Sequence, residues 1–402
     1  MESFVSKEAI VHLLTDLVKI ESPYFHEHEA MAFVLSWMQE KGLPCRIHRY
    51  HDPAIPDFHG ENITGFVQGS AEGPTIYLGG HLDTVQLCEG WTLPPYQAVI
   101  RDDQLYGVGA LDMKGGCVAL LYALSEFYRQ YGTDFRGRIL YQLVSDEEGP
   151  YGLGTYALIN ENIDGIDDKV DFAVMCEPSA AFTGAAHPCL CLGARGGYDY
   201  MVSLQGLSAH AATPEKGINA VSEAARAIQA IEQIPPRVDD KLGHSTTCII
   251  GIQGGANGCS VPDHVDIEVF HHCVRGETPS SIQAGAEEAL RKAGLRCQWN
   301  VTMRQSLGGR FDGGFVPYCT DENDPYLQIL SASIQEVCGK KPTCNYFQSM
   351  GDFNHIGGLI AIPTVLFGPD GKNFHSADER VNLQSVYEVS KSIFEFLKKT
   401  LL

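Results

Sequence analysis

Apolar residues near the start of the chain recur at helical spacing. Ile10, Leu13, Leu14, Leu17 and Val18 fall on one face, as an amphipathic helix requires. Ser22-Pro23 breaks the pattern, which resumes from Glu27 to Gly42. Short apolar runs follow at Asn62–Val67, Thr75–Leu78, Ile139–Val144, Phe172–Cys176 and Thr364–Phe367. They predict buried strands of an α/β sheet, with helices such as Gly115–Tyr131 between them. The middle of the chain has another rhythm. Tyr198–Leu204 alternates as a strand and Ala220–Ile234 has helical periodicity. Strands are expected at Thr246–Ile252 and Val265–Val274, a helix at Ser280–Ala293 and a last strand at Cys297–Met303. That order, βαββαβ, is the split-βαβ (ferredoxin-like) pattern of a two-layer domain. The expected organisation is a discontinuous α/β domain, residues 1–192 and 305–402, interrupted by an inserted domain at 193–304.

Composition narrows the function classes. The chain has 402 residues, 44% of them hydrophobic and 20% charged, which suits two or three globular domains. Its formal net charge of −21 argues against nucleic acid or an anionic membrane as partner, since both need a basic face. Met1-Glu2-Ser3 runs straight into a helical pattern, so no secretory signal is expected. The apolar stretch Leu359–Phe367 is interrupted by Pro363 and is too short to span a bilayer. Thirteen cysteines without a CxxC pair fit reduced thiols and a cytoplasmic location. Cys189 and Cys191 lack a second soft pair and are expected to be ordinary strand residues.

The chemistry lies at the ends of the apolar runs. Gly80-His81-Leu82-Asp83-Thr84-Val85, Ala110-Leu111-Asp112-Met113-Lys114-Gly115-Gly116, Asp146-Glu147-Glu148-Gly149, Cys176-Glu177-Pro178 and Asn373-Phe374-His375-Ser376 each deliver a metal-type ligand. Zinc accepts imidazole nitrogen and carboxylate oxygen, and one carboxylate can bridge two ions. Open α/β sheets place their sites at such strand ends. His81 and Asp83, two apart, would face the same way in an extended segment, so Asp83 could orient His81 by accepting its second ring proton. Asp112 suits either a helix N-cap or a bridging ligand. Glu147 and Glu148 form either a solvated acidic turn or a working pair. In the second case Glu148 ligates while Glu147 takes a proton from an activated water. His210, in Gly206-Leu207-Ser208-Ala209-His210, is either solvated or an electrophile for a developing oxyanion. His26, His28, His48, His51, His244 and His264 have no partner pattern and are expected at surface or structural positions.

Together these motifs resemble those of the zinc aminoacylase superfamily, which includes acetylornithine deacetylase, succinyl-diaminopimelate desuccinylase, glutamate carboxypeptidase and several dipeptidases. The resemblance runs from Ile20-Glu21-Ser22-Pro23 to Asp378-Glu379-Arg380-Val381. It implies a two-zinc exopeptidase-like α/β/α catalytic domain with an inserted lid and dimerisation domain. One zinc would be held by His81, Asp112 and Glu177, the other by Asp112, Glu148 and His375, with Co2+ or Mn2+ as possible substitutes. Glu147 would be the general base and acid, Asp83 the partner of His81, and His210 a contributor to the neighbouring subunit's site in a homodimer.

The pattern departs from the family in the insert. Cys259, in Gly258-Cys259-Ser260-Val261-Pro262, stands where an Asn is usual. His272, in Phe270-His271-His272-Cys273, stands where an Arg commonly grips a substrate carboxylate. Val108 likewise replaces a common Arg. Histidine is neither bidentate nor permanently charged, so Arg195 or Arg275 would have to supply that charge, or the substrate lacks the group. Arg195, His272, Cys259 and Asp352 are the candidate substrate contacts. The expected activity is hydrolysis of an amide bond in a small N-acyl-amino acid or peptide-like molecule. Dipeptidase or carboxypeptidase action is the alternative within the class, and a non-catalytic dimeric binding protein on the same fold the alternative outside it.

Overall fold

The computed structural model describes residues 4–51, 58–149, 152–256, 258–304 and 313–402. The chain divides into two compact units. The first comprises Met1–Ala194, Tyr318–Phe347 and Gly351–Leu402; the second comprises Arg195–Pro317 and Gln348–Met350.

A nine-stranded mixed sheet organises the first unit. Its spatial order is Arg46–His51, His59–Gln68, Arg136–Val144, Ala71–His81, Phe172–Met175, Thr364–Leu366, Cys189–Ala194 and Tyr318–Cys319, with Thr343–Phe347 also paired to Cys189–Ala194. The four strands at its centre, from Arg136–Val144 to Thr364–Leu366, run parallel. Phe172–Met175 and Thr364–Leu366 are wholly buried, as are the carboxyl-terminal six residues of the other two, which explains their continuous apolar runs. The helix Gly115–Tyr131 packs against both Lys7–Val18 and Leu383–Leu401. In the last of these Val386, Val389, Ile393, Phe396, Leu397 and Leu401 are buried at helical spacing, and Asn382 caps its first turn by accepting from the Ser385 N–H. In a small sheet of Gly371–Lys372, Arg380–Asn382, Gln104–Tyr106 and Val99–Arg101, the loop between the first two strands carries His375 and Glu379.

The second unit is a four-stranded antiparallel sheet, Thr246–Gly254, His264–Cys273, Gly196–Gln205 and Gln298–Met303 in spatial order. The helices Ala220–Glu232 and Pro279–Ala293 share a core with it that includes Val202, Leu204, Ala224, Ile267, Val269 and Leu290. Its chain order is the βαββαβ read from the sequence. Asn219 caps the first helix. Thr278 and Ser281 form a capping box on the second, with Pro279 in its first turn and Gly294 closing it in the left-handed region. The unit extends to Pro317 because Phe315 pairs with Gly197 beyond the last strand. The expected boundary at residue 305 lies outside the described residues. No helix among the described residues is long and apolar enough to cross a membrane.

Candidate metal centre

The carboxyl ends of the central parallel strands bring the acidic and imidazole groups together. His81 is the last residue of Ala71–His81, Glu147 and Glu148 follow Arg136–Val144, and Glu177 follows Phe172–Met175. His375 arrives from the loop beyond Gly371–Lys372.

The sequence break at Ser22-Pro23 helps to set the first of these segments. Past the end of helix Lys7–Val18, Ser22 to Tyr24 runs beside Leu82 to Thr84. The Ser22 Oγ donates to the Leu82 carbonyl at 2.8 Å and the Thr84 N–H donates to Ser22 at 2.8 Å. His81 Nδ1 lies 3.0 Å from the backbone oxygen of Asp83 and 3.4 Å from its Oδ1. The nearer partner of the ring is therefore the Asp83 carbonyl rather than its carboxylate. The Asp83 Oδ2 instead accepts the Glu148 N–H at 2.8 Å, tying two ligand-bearing loops together.

Asp112 is not a helix cap. Helix Gly115–Tyr131 has Lys114 at its N-cap, and Asp112 is extended at φ −115° and ψ 97°. Its loop is clamped by Glu379, which the sequence reading left without a role. Glu379 Oε1 accepts the N–H groups of Leu111 and Asp112 at 2.9 and 3.0 Å, and Oε2 accepts that of Gly109 at 2.9 Å. Lys114 is fully buried and donates to the carbonyls of Leu17 and Ile20 at 3.3 and 2.7 Å, satisfying the open end of helix Lys7–Val18. Gly116 lets the helix start touch the strand end bearing Glu177: a Cβ there would stand 1.9 Å from the Cys176 carbonyl oxygen.

Asp146 turns the third loop with φ +58°. Its N–H donates to Glu27 Oε1 at 3.1 Å, and its Oδ2 accepts the Leu153 N–H at 3.2 Å. The adjacent Glu147 and Glu148 are thereby aimed at different neighbours. Glu147 Oε2 comes 3.8 Å from His81 Nε2, and its Oε1 accepts the Asp352 N–H at 3.0 Å. Glu148 Oε1 lies 2.9 Å from His375 Nε2. Asp352 is buried, takes a hydrogen bond from the Thr155 hydroxyl, and clusters with Glu147 and Glu177.

Electrostatics follow from this crowding. Burial drives Glu147 and Glu177 well above the usual carboxylate range, although His81 pulls both down. Burial also lifts Glu148 to about 7 and Asp352 to about 6. Burial opposes the charge on Asp112 too, but the imidazoles of His375 and His81 facing its two oxygens hold it below its ordinary value. His375 rises to about 11: burial disfavours its charge, and the contacts with Asp112 and Glu148 outweigh that. So many acids in a dry volume stay ionised together only if positive charge joins them.

The Asp112 carboxylate decides how such charge is shared. Its Oδ1 lies 3.5 Å from His81 Nε2, and its Oδ2 lies 3.3 Å from His375 Nε2. Glu177 Oε1 is 3.7 Å from the same His81 nitrogen, on the first side of that split. Ligands about 2.0–2.2 Å from one ion stand roughly 3–3.6 Å apart, so the donor set fits two divalent ions. His81 Nε2 and both Glu177 oxygens are buried without a hydrogen-bond partner among the described residues, as donors reserved for an ion would be.

The family model of peptidase family M20/M25/M40 matches residues 77–399. The chain belongs to this family. It is similar to the succinyl-diaminopimelate desuccinylase of Sulfurovum sp. (strain NBC37-1), with 26% identity over 393 residues that cover 96% of this chain and 98% of that one. In fold it matches the aminopeptidase PepT from Bacillus cereus ATCC 10987, with a TM-score of 0.76, 20% identity and coverage of 99% and 100%. A Bacillus subtilis protein described as a dinuclear metal binding peptidase of the M20 family gives a TM-score of 0.68 at 14% identity, with 97% of each chain covered.

The remaining candidate residues of this M20-family chain lie in the second unit. His210 is exposed, and its Nδ1 accepts the Ala212 N–H at 3.0 Å. It forms an isolated bridge with Ser260, and the Cys259 carbonyl accepts the Ala211 N–H, so His210 and Cys259 belong to one loop pair. His272 is half-buried, and burial followed by the nearby Arg195 lowers its pKa. Arg195 donates to the Leu242 carbonyl at 2.9 Å and to Gln348 at 2.5 Å. Arg275 is committed to Asp239 and Asp240, at 2.8 and 2.6 Å. The sequence reading also missed a group of aromatic rings beside His375 in the first unit. Phe182 stacks on Phe347 at 4.5 Å between centroids and meets Phe374 edge-on at 5.3 Å. Nothing in their spacing marks these residues in advance, because they come from three distant segments.

Proposed function

We infer that this chain, a metallohydrolase by its family, acts on amide bonds of acyl-amino acid or peptide-like substrates. We propose that it removes the acyl group from a small N-acyl-amino acid, using two divalent ions. His81, Asp112 and Glu177 hold one ion, and Asp112, Glu148 and His375 hold the other. The observation that carries this reading is the Asp112 carboxylate, whose two oxygens face different histidines. Zinc suits the imidazole and carboxylate donors, with Co2+ or Mn2+ able to replace it. Ions held by these residues would supply Lewis-acid chemistry, polarising the scissile carbonyl and lowering the pKa of water.

The chain's own groups then move the proton. Glu147, held high by burial and aimed at the His81 side of the cluster, takes the proton of the attacking water and passes it to the leaving nitrogen. Asp352 holds Glu147 through its N–H, and the Asp83 carbonyl fixes the His81 tautomer. Arg195, whose partners Leu242 and Gln348 are neutral, binds a substrate carboxylate in place of the usual Arg, whereas Arg275 is neutralised by Asp239 and Asp240. His210 stabilises the oxyanion, supplied by a second copy of the chain in a homodimer. The edge strand Thr246–Gly254, with Ile250 and Ile252 exposed, supports association through the second unit. Thirteen free cysteines support a cytoplasmic location.

The test is turnover of N-succinyl and N-acetyl amino acids, dipeptides and carboxylate-free amides, with chelator and metal add-back. Chelator-reversible hydrolysis of the N-acyl group alone is the expected result. Turnover confined to dipeptides would make the chain a peptidase, and turnover confined to carboxylate-free amides would remove Arg195 from the proposed role.

A further inference from the structure

A second cluster of metal-type donors lies in the first unit, built from residues with no part in the centre described above. His187 sits between the short helix Ser179–Thr183 and the strand Cys189–Ala194, Cys338 ends helix Pro325–Cys338, and Glu388 lies within helix Leu383–Leu401. One donor atom from each of the three falls within 4.8 Å of the other two. The two helices pack against each other, so the cluster stands where the end of one meets the middle of its neighbour, with the pre-strand loop laid across.

The state of His187 makes this more than proximity. Its side chain is only 10% exposed, and neither ring nitrogen has a hydrogen-bond partner among the described residues. Burying an imidazole with both nitrogens unsatisfied is costly. Its Nε2 lies 3.3 Å from Glu388 Oε2, close to the roughly 3.5 Å expected between nitrogen and oxygen ligands of one tetrahedral zinc ion. Glu388 is already oriented, because its Oε1 accepts from the Gln384 amide at 3.1 Å, leaving Oε2 to face the histidine. Lys340 is near enough to act on Cys338 electrostatically, and its charge opposes a metal there.

We propose that His187, Cys338 and Glu388 form a further metal site for a borderline-soft divalent cation, zinc above all, with solvent as the fourth ligand. A sulfur, a nitrogen and a carboxylate oxygen select zinc over magnesium or calcium, which prefer all-oxygen sets. On binding, the Cys338 thiol loses its proton to solvent and a metal–sulfur bond forms, with no change of oxidation state. The site joins three segments that are 50 to 201 residues apart in the chain, so its role is to fasten the two helices and the loop rather than to catalyse.

Cobalt distinguishes this site from the proposed catalytic pair, which has no sulfur ligand. The full-length protein is stripped with chelator and titrated with Co2+ while the near-ultraviolet absorbance is followed, alongside Cys338→Ser and His187→Gln. The expected result is a thiolate-to-cobalt charge-transfer band in the parent, absent from Cys338→Ser and weakened at least tenfold in apparent affinity in His187→Gln. Both variants should keep the parent's far-ultraviolet circular dichroism, and two substitutions of different chemistry guard against one failing to fold. No band in the parent, or a band that persists in Cys338→Ser, would overturn the proposal and leave His187 and Glu388 as a plain ion pair.

Discussion

Replacing Glu379 by Gln tests whether the Asp112 loop is held in place by one buried carboxylate. In the parent, Oε1 accepts two N–H groups, from Leu111 and Asp112, and Oε2 accepts one, from Gly109. Glutamine keeps a single acceptor oxygen. If that oxygen stays on Leu111 and Asp112, the amide NH2 opposes the Gly109 N–H and one hydrogen bond to a charged acceptor, about 1.5–3 kcal/mol, is lost. The two retained bonds weaken as their acceptor loses its charge. Against this, burial disfavours the Glu379 carboxylate, lifting its pKa to about 8, and the neutral amide escapes that cost, so the comparison is made above pH 8, where the parent carboxylate is charged. The net is a destabilisation of about 2 kcal/mol, which lowers the thermal midpoint by roughly 4–8 °C for a unit of this size. The misplaced Asp112 weakens metal binding by about 10–100-fold, the usual effect of losing a group that orients a ligand. Differential scanning calorimetry of the metal-free protein and calorimetric zinc titration measure the two effects separately. An unchanged midpoint together with unchanged affinity would refute the clamp.

Three further outcomes follow from the same geometry. Gly116→Ala places a methyl against the Cys176 carbonyl, a 1.9 Å approach that neither backbone can keep. A cost of about 3 kcal/mol is expected, with loss of metal as Glu177 moves, both visible in urea unfolding and zinc content. Metal affinity should rise between pH 6 and 8, because Glu148 at about 7 and Asp352 at about 6 hold protons in the metal-free chain that a cation must displace. Calorimetric titrations in buffers of differing ionisation heat would show that proton release, and an affinity independent of pH over this range would refute it. In the second unit Arg275 holds Asp239 below its usual pKa, first through their hydrogen bonds. The stabilisation is present above the unfolded-state value near 3.9 and is lost as pH falls through the lower folded value. Arg275→Ala should cost about 1 kcal/mol in urea at pH 7, discounted for the exposed guanidinium, with the gap closing in acid.

Much of the centre was legible because its ligands sit at strand ends, where an apolar run stops on a polar residue. His81, Glu147, Glu148 and Glu177 announce themselves in that way, and the βαββαβ order of the second unit follows from alternation and helical spacing. What escaped was everything set by contact between distant segments. Glu379 lies 267 positions from Asp112, and no local pattern links them. The hydrogen bond that His81 Nδ1 donates to the Asp83 carbonyl, rather than to its side chain, depends on how the loop turns after the strand. The strands Tyr318–Cys319 and Thr343–Phe347 are short and partly exposed at the sheet's far edge, so they lack the buried run that marks the central strands. The same holds for the rings of Phe182, Phe347 and Phe374, which meet only in the folded chain.

The most direct measurement compares Glu147→Gln with the parent for bound zinc and for turnover of the best N-acyl-amino acid. Glutamine keeps the shape of Glu147 and its contact with the Asp352 N–H but cannot take a proton. The expected result is two zinc ions retained at the His81, Asp112, Glu148, Glu177 and His375 centre, with kcat lower by about 10²–10⁴. Full turnover in Glu147→Gln, with both ions in place, would contradict the central claim that this carboxylate moves the proton.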